Sequence, residues 1–420
     1  MPMNEDLHAR LRRLGVTKGT QNLPTPAPSP RRTQPQSNAP ALEKLLPHGR
    51  LETHHASQCF VVERVYPLHH RHGRYPLGAL AAQALPTAAL FCQDDRLQDI
   101  DLQQLLFIDT ETTGLGGAGT LAFMVGTAYF EREALVVRQF FLRDHADEAA
   151  MLPLLAEMVA TRPGLVTFNG RSFDLPLLDN RYFMNRLAPP HGDLVSQPHI
   201  DLLPPARRIW RSRLTSCSLS SLEQNLLEIK RTHEDVPGWA IPSLYNDYLR
   251  SGDARPLLGV FYHNHQDMLS MVTLLTQVLH LFAEPTLGHP LDVVGLATWH
   301  LKLGQADTAE QLLRLAQELA EGEAATAVLP PLAALLKKQN RRAEAVALWE
   351  QMVRDNPAEI DAVVELAKYA EWHAPDAPQV AQALIWTEVA LARAQTHQPY
   401  NRPLREALLH RQQRLARKLG

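Results

Sequence analysis

Along the first half of the chain, apolar residues come in short runs with the two-residue alternation or unbroken apolar character of strands. Cys59–Leu68 (CFVVERVYPL), Leu105–Glu111 (LLFIDTE), Leu121–Glu131 (LAFMVGTAYFE), Ala134–Asp144 (ALVVRQFFLRD) and Gly164–Asn169 (GLVTFN) each predict a strand. Between and after them the spacing changes to that of amphipathic helices, over Glu148–Ala160, Phe173–Leu187 and Asn264–Phe282. Three strands in succession, then helix, strand and helix, predict an α/β layer built on a mixed sheet.

After Pro285 the pattern becomes continuously helical and rich in Ala, Leu, Glu and Gln. Small residues recur there at fixed intervals. Ala297, Ala309 and Ala316 are spaced by 12 and 7; Ala333, Ala345 and Met352 repeat those intervals; Ala367 follows Ala333 by 34, the length of a tetratricopeptide repeat. Ala383 and Ala390 keep the interval of 7 after a four-residue insertion around APDAPQ, and Pro357 stands where a repeat boundary is expected. At the other end, residues 21–40 are rich in Pro, Ser, Thr and Gln and carry too little apolar surface to offset the entropy of ordering. Three regions follow: a largely disordered segment 1–48 with a short amphipathic helix near its start, an α/β domain over 49–284, and an all-α domain of tetratricopeptide-like repeats over 285–420.

Composition narrows the function. The chain has 420 residues and a formal net charge of −3, so any polyanion must be met by a local patch or through metal ions. Its three cysteines, Cys59, Cys92 and Cys217, lie far apart and form no C-x-x-C pair. That excludes a disulfide framework or zinc knuckle and fits a reducing compartment. The first 15 residues lack the apolar stretch of a secretion signal, and no apolar run approaches the roughly 20 residues that span a bilayer. The expectation is a cytoplasmic protein with no membrane contact.

The candidate chemistry is carboxylate chemistry. Asp109 and Glu111 stand two positions apart at the end of an apolar strand, so both point to one face. Their mutual repulsion calls for a cation. Asp174 stands where the helix after the Gly164–Asn169 strand begins, and Asp267 at the head of the helix after Asn264. Each alone has an ordinary explanation, as a helix cap or a partner of the helix dipole. Together they make an oxygen-rich set suited to two hard divalent ions, Mg²⁺ or Mn²⁺, which can stabilise the attacking and leaving oxygens of a phosphoryl displacement. The run His69, His70, Arg71, His72, Arg74 is open to a metal or phosphate reading, but a polar loop is the commoner outcome.

The ordered set Asp109-x-Glu111, Asn169-Gly-x-Ser-Phe-Asp174 and a Tyr/His-rich approach to Asp267 resembles the three motifs of the DEDD exonucleases on the ribonuclease-H-like fold. FIDTETTGL, FNGRSFDLPLL, DVPGWAIPSLYNDYL and HNHQDMLSMVTLL, followed by tetratricopeptide-like helices, are similar to the bacterial YprB-type members over roughly residues 50–400. The resemblance implies that Asp109, Glu111, Asp174 and Asp267 bind two metal ions. It further implies 3′→5′ exonuclease cleavage of single-stranded DNA or RNA. It also calls for a residue that activates water. One family form has Tyr four residues before the last Asp and the other has His five before it; this chain has His263 and Tyr262 at those places. His263 is one helical turn from Asp267 and is the candidate base; Tyr262 is then a packing residue and His265 faces elsewhere.

Substrate contacts are expected from Asn169 and from the cluster Arg207, Arg208, Trp210, Arg211, where arginines flank an aromatic ring. The alternative is a solvated helix face with one buried Trp. Asp201 reads as a cap, and Asp235–Tyr245 as a turn-rich segment that borders the channel or is only structural. Two other functions stand beside the exonuclease: a non-catalytic nucleic-acid-binding scaffold whose repeats recruit a protein partner, and an endonuclease on structured nucleic acid.

Overall fold

The computed structural model describes residues 40–83, 85–114, 119–356, 358–373, 377–396 and 401–420. Pro357, residues 374–376 of the insertion and nearly all of the segment expected to be disordered lie outside them. Of that segment, residues 40–48 are described and they are structured. Leu42–Leu45 forms one helical turn, and Leu42 and Leu46 are buried beside the sheet.

Nine strands are present among the described residues: β1 (Gly49–His54), β2 (Ser57–Pro67), β3 (Arg71–His72), β4 (Tyr75–Pro76), β5 (Leu106–Thr112), β6 (Ala122–Glu131), β7 (Ala134–Phe141), β8 (Leu165–Thr167) and β9 (His199–Asp201). Seven of them form one mixed sheet in the order β1-β2-β7-β6-β5-β8-β9. β8 lies parallel to β5 and to β9; the other neighbours are antiparallel. β1 and β9 were not legible as strands, being respectively polar and only three residues long. The short hairpin β3–β4 replaces the expected polar loop. His72 is buried on it and bonds Ser270 Oγ at 2.9 Å, and Tyr75 donates to Gln277 at 2.8 Å.

β5 is buried on both faces. Phe107 enters one core, and Leu106 and Ile108 enter the other. The second core is closed by the helix Glu148–Ala160. The first is covered by the helix Leu257–Ala283, whose Met268, Met271, Val272 and Leu275 form its buried stripe. This helix begins two turns earlier than its apolar spacing indicated, so Asp267 sits well inside it and the helix-dipole explanation of that acid falls away. Gly126 on β6 lets the helix come close: a Cβ there would lie 2.2 Å from Asn264 Oδ1.

From Pro290 onward, helices follow one another as sequential packed pairs, beginning with Pro290–Lys302 and Ala306–Leu319 and ending with Arg402–Leu419. Ala297, Ala309, Ala316, Ala333, Ala345, Ala367, Ala383 and Ala390 are all buried, so the recurring small residues lie where helices meet. The first pair docks on the α/β part. Gly295 approaches the backbone of Ile209 so closely that a Cβ would stand 2.4 Å from its carbonyl oxygen. Arg213 forms a two-pronged ion pair with Asp292, both bonds 2.7 Å. One apolar core therefore runs from Phe107 through Met268 and Trp299 to Leu366.

Candidate metal centre

β8 pairs with β5 only at Leu106 and Phe107, so the edge of β5 beyond them is open. Asp174, the first residue of the helix Asp174–Met184, fills that edge: its Oδ1 accepts from the Thr110 amide at 3.0 Å and from Thr110 Oγ1 at 2.5 Å. Asp109 is met from the other side by Asn264, whose Nδ2 donates to Asp109 Oδ2 at 3.0 Å. Gln139 Nε2 donates to Asn264 Oδ1 at 3.0 Å and so orients that amide. The β5–β6 register shifts between Glu111 and Thr112, a bulge that re-aims the end of the strand. Glu111 is 9 % exposed and no described residue donates a hydrogen bond to it.

One helical turn links His263 to Asp267, with His263 Nε2 3.5 Å from Asp267 Oδ2. Ligand atoms of Glu111, His263 and Asp267 all lie within 4.8 Å of one another, the one such group of possible metal ligands among the described residues. The four expected acids therefore converge from three segments of chain. Burial pushes the Asp109 carboxyl well above its ordinary value, and the charges of Asp174, Asp267 and Glu111 push it the same way. Glu111 is raised by burial and by Asp267 and Asp174. Asp174 is pushed up to about 6 by burial, against the Thr110 hydrogen bonds. Such a set is costly without a cation, and its oxygen donors fit divalent Mg²⁺ or Mn²⁺.

Four further residues shape the site and were not legible in the sequence. Arg231 donates to Asp267 Oδ1 through Nη2 and is gripped by Glu223 through two bonds of 2.7 Å. Burial opposes its charge, but Glu223 and Asp267 hold it above the ordinary guanidinium value. Glu223 is buried in a π-helical turn and accepts from Ser270 Oγ at 2.6 Å. Asp235 meets His263 Nδ1 at 2.8 Å, and Asn264 orients Asp109 as described. The Tyr262 hydroxyl oxygen accepts from the Thr232 amide at 3.1 Å and so tethers this segment, while His265 is buried against Tyr66. Of the three ring-bearing candidates, only His263 reaches the acids.

The expected substrate contacts divide. Asn169 is exposed in the loop before Asp174, with a left-handed φ of 69°. Arg207 and Arg211 are exposed. Arg208 lies 4.8 Å over the Trp299 ring and so serves helix docking. Trp210 is fully buried, which corrects its assignment as a stacking platform; the apolar face of its helix required it. Asp201 caps two segments, accepting from the Asn169, Arg171 and Leu203 amides. Trp239, in the segment that carries Asp235, is 85 % exposed. No helix among the described residues is long and apolar enough to cross a membrane.

The family model that matches residues 106–279 is RNase_H_2, of the RNase_H superfamily, and it spans all four acids. The chain is also 33 % identical over 349 residues to the uncharacterized protein YprB of Bacillus subtilis (strain 168), covering 80 % of this chain and 83 % of that one. The chain belongs to the RNase H superfamily. The mixed sheet and its carboxylates are thus an RNase H-like domain, a nuclease-type fold whose members generally use divalent metals.

Proposed function

We propose that this RNase H-like chain is a divalent-metal-dependent nuclease that hydrolyses phosphodiester bonds of single-stranded DNA or RNA from the 3′ end. The observation that carries the reading is the convergence of Asp109, Glu111, Asp174 and Asp267, each oriented or crowded so that a bound cation relieves it. These four acids are the residues that would hold two ions, Mg²⁺ or Mn²⁺. Bound there, the ions would supply the positive charge that activates water and stabilises the leaving oxygen.

The chain's own residues do the positioning. Asn264 aims Asp109, Thr110 aims Asp174, and Arg231 fixes one oxygen of Asp267 so that the other faces the centre. Trp239 offers an exposed ring on which a base can stack, and Arg207 and Arg211 offer charge to backbone phosphates. The packed helical pairs supply a tetratricopeptide-like surface for a protein partner, with Trp372 and Ile385 exposed on it.

The test uses single strands labelled at the 3′ or the 5′ end, beside a circular strand of the same composition. Early release of the 3′ label as mononucleotide, with the circle intact, supports the reading. Cleavage of the circle makes the chain an endonuclease. Binding without any cleavage in Mn²⁺ makes it a scaffold.

A further inference from the structure

The carboxylates do not form one uniform cluster. Among the described residues, Asp109 and Asp174 are served by neutral donors, the Asn264 amide and the Thr110 backbone and hydroxyl. Glu111 and Asp267 face an imidazole. His263 Nδ1 lies 2.8 Å from Asp235 Oδ1 and 3.2 Å from Arg231 Nη1. A carboxylate only accepts and a guanidinium only donates, so Nδ1 serves one of them. The shorter contact decides: a bare Nδ1 lone pair 2.8 Å from a carboxylate oxygen would be repulsive, so Nδ1 carries the proton and donates to Asp235.

Nε2 is then the ring atom turned to the acids, and it lies 3.5 Å from Asp267 Oδ2. Two potential ligand atoms at that separation suit a common ion, since neighbouring N and O ligands at about 2.0–2.2 Å from a metal stand about 3–4 Å apart. The third member, Glu111, lies inside the same 4.8 Å group and has no hydrogen-bond donor of its own among the described residues. Both other ligands have an outer partner on the far atom: Asp235 on His263 Nδ1, and Arg231 on Asp267 Oδ1. That is the arrangement by which proteins fix the tautomer of a metal-binding histidine and the orientation of a metal-binding carboxylate. The partners are themselves anchored, Arg231 by buried Glu223 and Glu223 by Ser270.

Resting on the metal-dependent reading, we infer that the centre has two chemically unlike cation positions, and that His263 Nε2 is a metal ligand in the outer one, with Glu111 and Asp267. The inner position, at Asp109 and Asp174, is oxygen-only. The outer position favours Mn²⁺ and other transition ions over Mg²⁺, because imidazole nitrogen suits them better than it suits a hard ion. A ligated imidazole cannot accept a proton at Nε2, so His263 holds metal rather than serving as the base. Asp235 is a positioning residue that acts through it.

Pulsed electron paramagnetic resonance of the Mn²⁺-loaded full chain reads this without any hydrolysis. A directly bound imidazole gives a ¹⁴N modulation that changes to the ¹⁵N pattern when the wild-type chain is labelled with [¹⁵N]histidine. The modulation should vanish in His263→Gln. In parallel calorimetry, His263→Gln and Asp235→Asn should each weaken one Mn²⁺ position about 10- to 100-fold while changing Mg²⁺ binding far less. Bound Mn²⁺ with no nitrogen modulation in the wild type overturns the inference and leaves the carboxylate centre standing. Modulation that persists in His263→Gln overturns it too. A chain that binds no Mn²⁺ overturns both. The isotope pattern needs no substitution, so a misfolded variant does not blunt the test.

Discussion

Asn264 shows how one side chain can govern the centre. It bridges Gln139 and Asp109, joining β7, the long helix and β5. Asn264→Ala removes the donor that aims Asp109 and should weaken metal binding about 10- to 100-fold, read by Mn²⁺ calorimetry. Asp109→Asn should do the reverse to the metal-free fold. It removes a buried carboxylate that Asp174, Asp267 and Glu111 repel, so its melting temperature in EDTA should match or exceed that of the wild type. Only the wild type should then gain strongly on adding Mn²⁺. A distant histidine carries the pH dependence that is easiest to isolate. Burial, helped by Arg171, lowers His199 to about 3. The folded state thus refuses a proton that the unfolded chain accepts below about 6.5. This contribution is fully present above that pH and is lost as pH falls toward 3. Between pH 6.5 and 5 it amounts to about 2 kcal/mol. Denaturant midpoints should therefore fall less between pH 7 and 5 in His199→Gln than in the wild type.

Elements explain which parts of the site could be read in advance. Asp109 and Glu111 were legible because a strand alternates faces; Asp174 and Asp267 alone read as a helix cap and a dipole partner, and only the ordered set of acids singled them out. Arg231, Glu223, Asp235 and Asn264 were not legible. Their partners Asp267, His263, Asp109 and Ser270 lie 28 to 155 positions away, and the near pair of Arg231 with Glu223, eight positions apart, reads in sequence like any surface ion pair. Trp210 was misjudged for the same reason: a ring among arginines looks exposed until the neighbouring helix is docked on its other side. The helix starts earlier than the spacing indicates because Tyr262 and His263 break the apolar stripe with side chains turned to the Thr232 segment and to the acids. Gly126 is where β6 meets the long helix closely. Gly126→Ala puts a Cβ against Asn264, and its overpacking should cost about 1–3 kcal/mol and reduce hydrolysis together with Mn²⁺ affinity. A variant with full activity and an unchanged denaturant midpoint would show that the helix does not need this approach.

At the scale of the molecule, the core that continues from Phe107 to Leu366 joins the RNase H-like domain to the first helical pairs. Scanning calorimetry should therefore show these parts melting in one transition; two well-separated transitions would mean that the docking at Gly295 and Asp292 is weak. Trp239, Arg207 and Arg211 are exposed, and on the proposed nuclease reading they would meet substrate rather than support the fold. Trp239→Ala should weaken binding of a short single strand by about 1–3 kcal/mol with no change in melting temperature. The double arginine variant should flatten the salt dependence of binding. The central claim is that the converging acids make a metal-dependent phosphodiesterase. Its most direct test is mononucleotide release from linear single-stranded DNA and RNA by the wild type and Asp109→Asn, each in Mn²⁺ and in EDTA. Release by the wild type in Mn²⁺ alone is the predicted result. Equal release by Asp109→Asn, or intact strands in every sample while the wild type holds Mn²⁺, would contradict it.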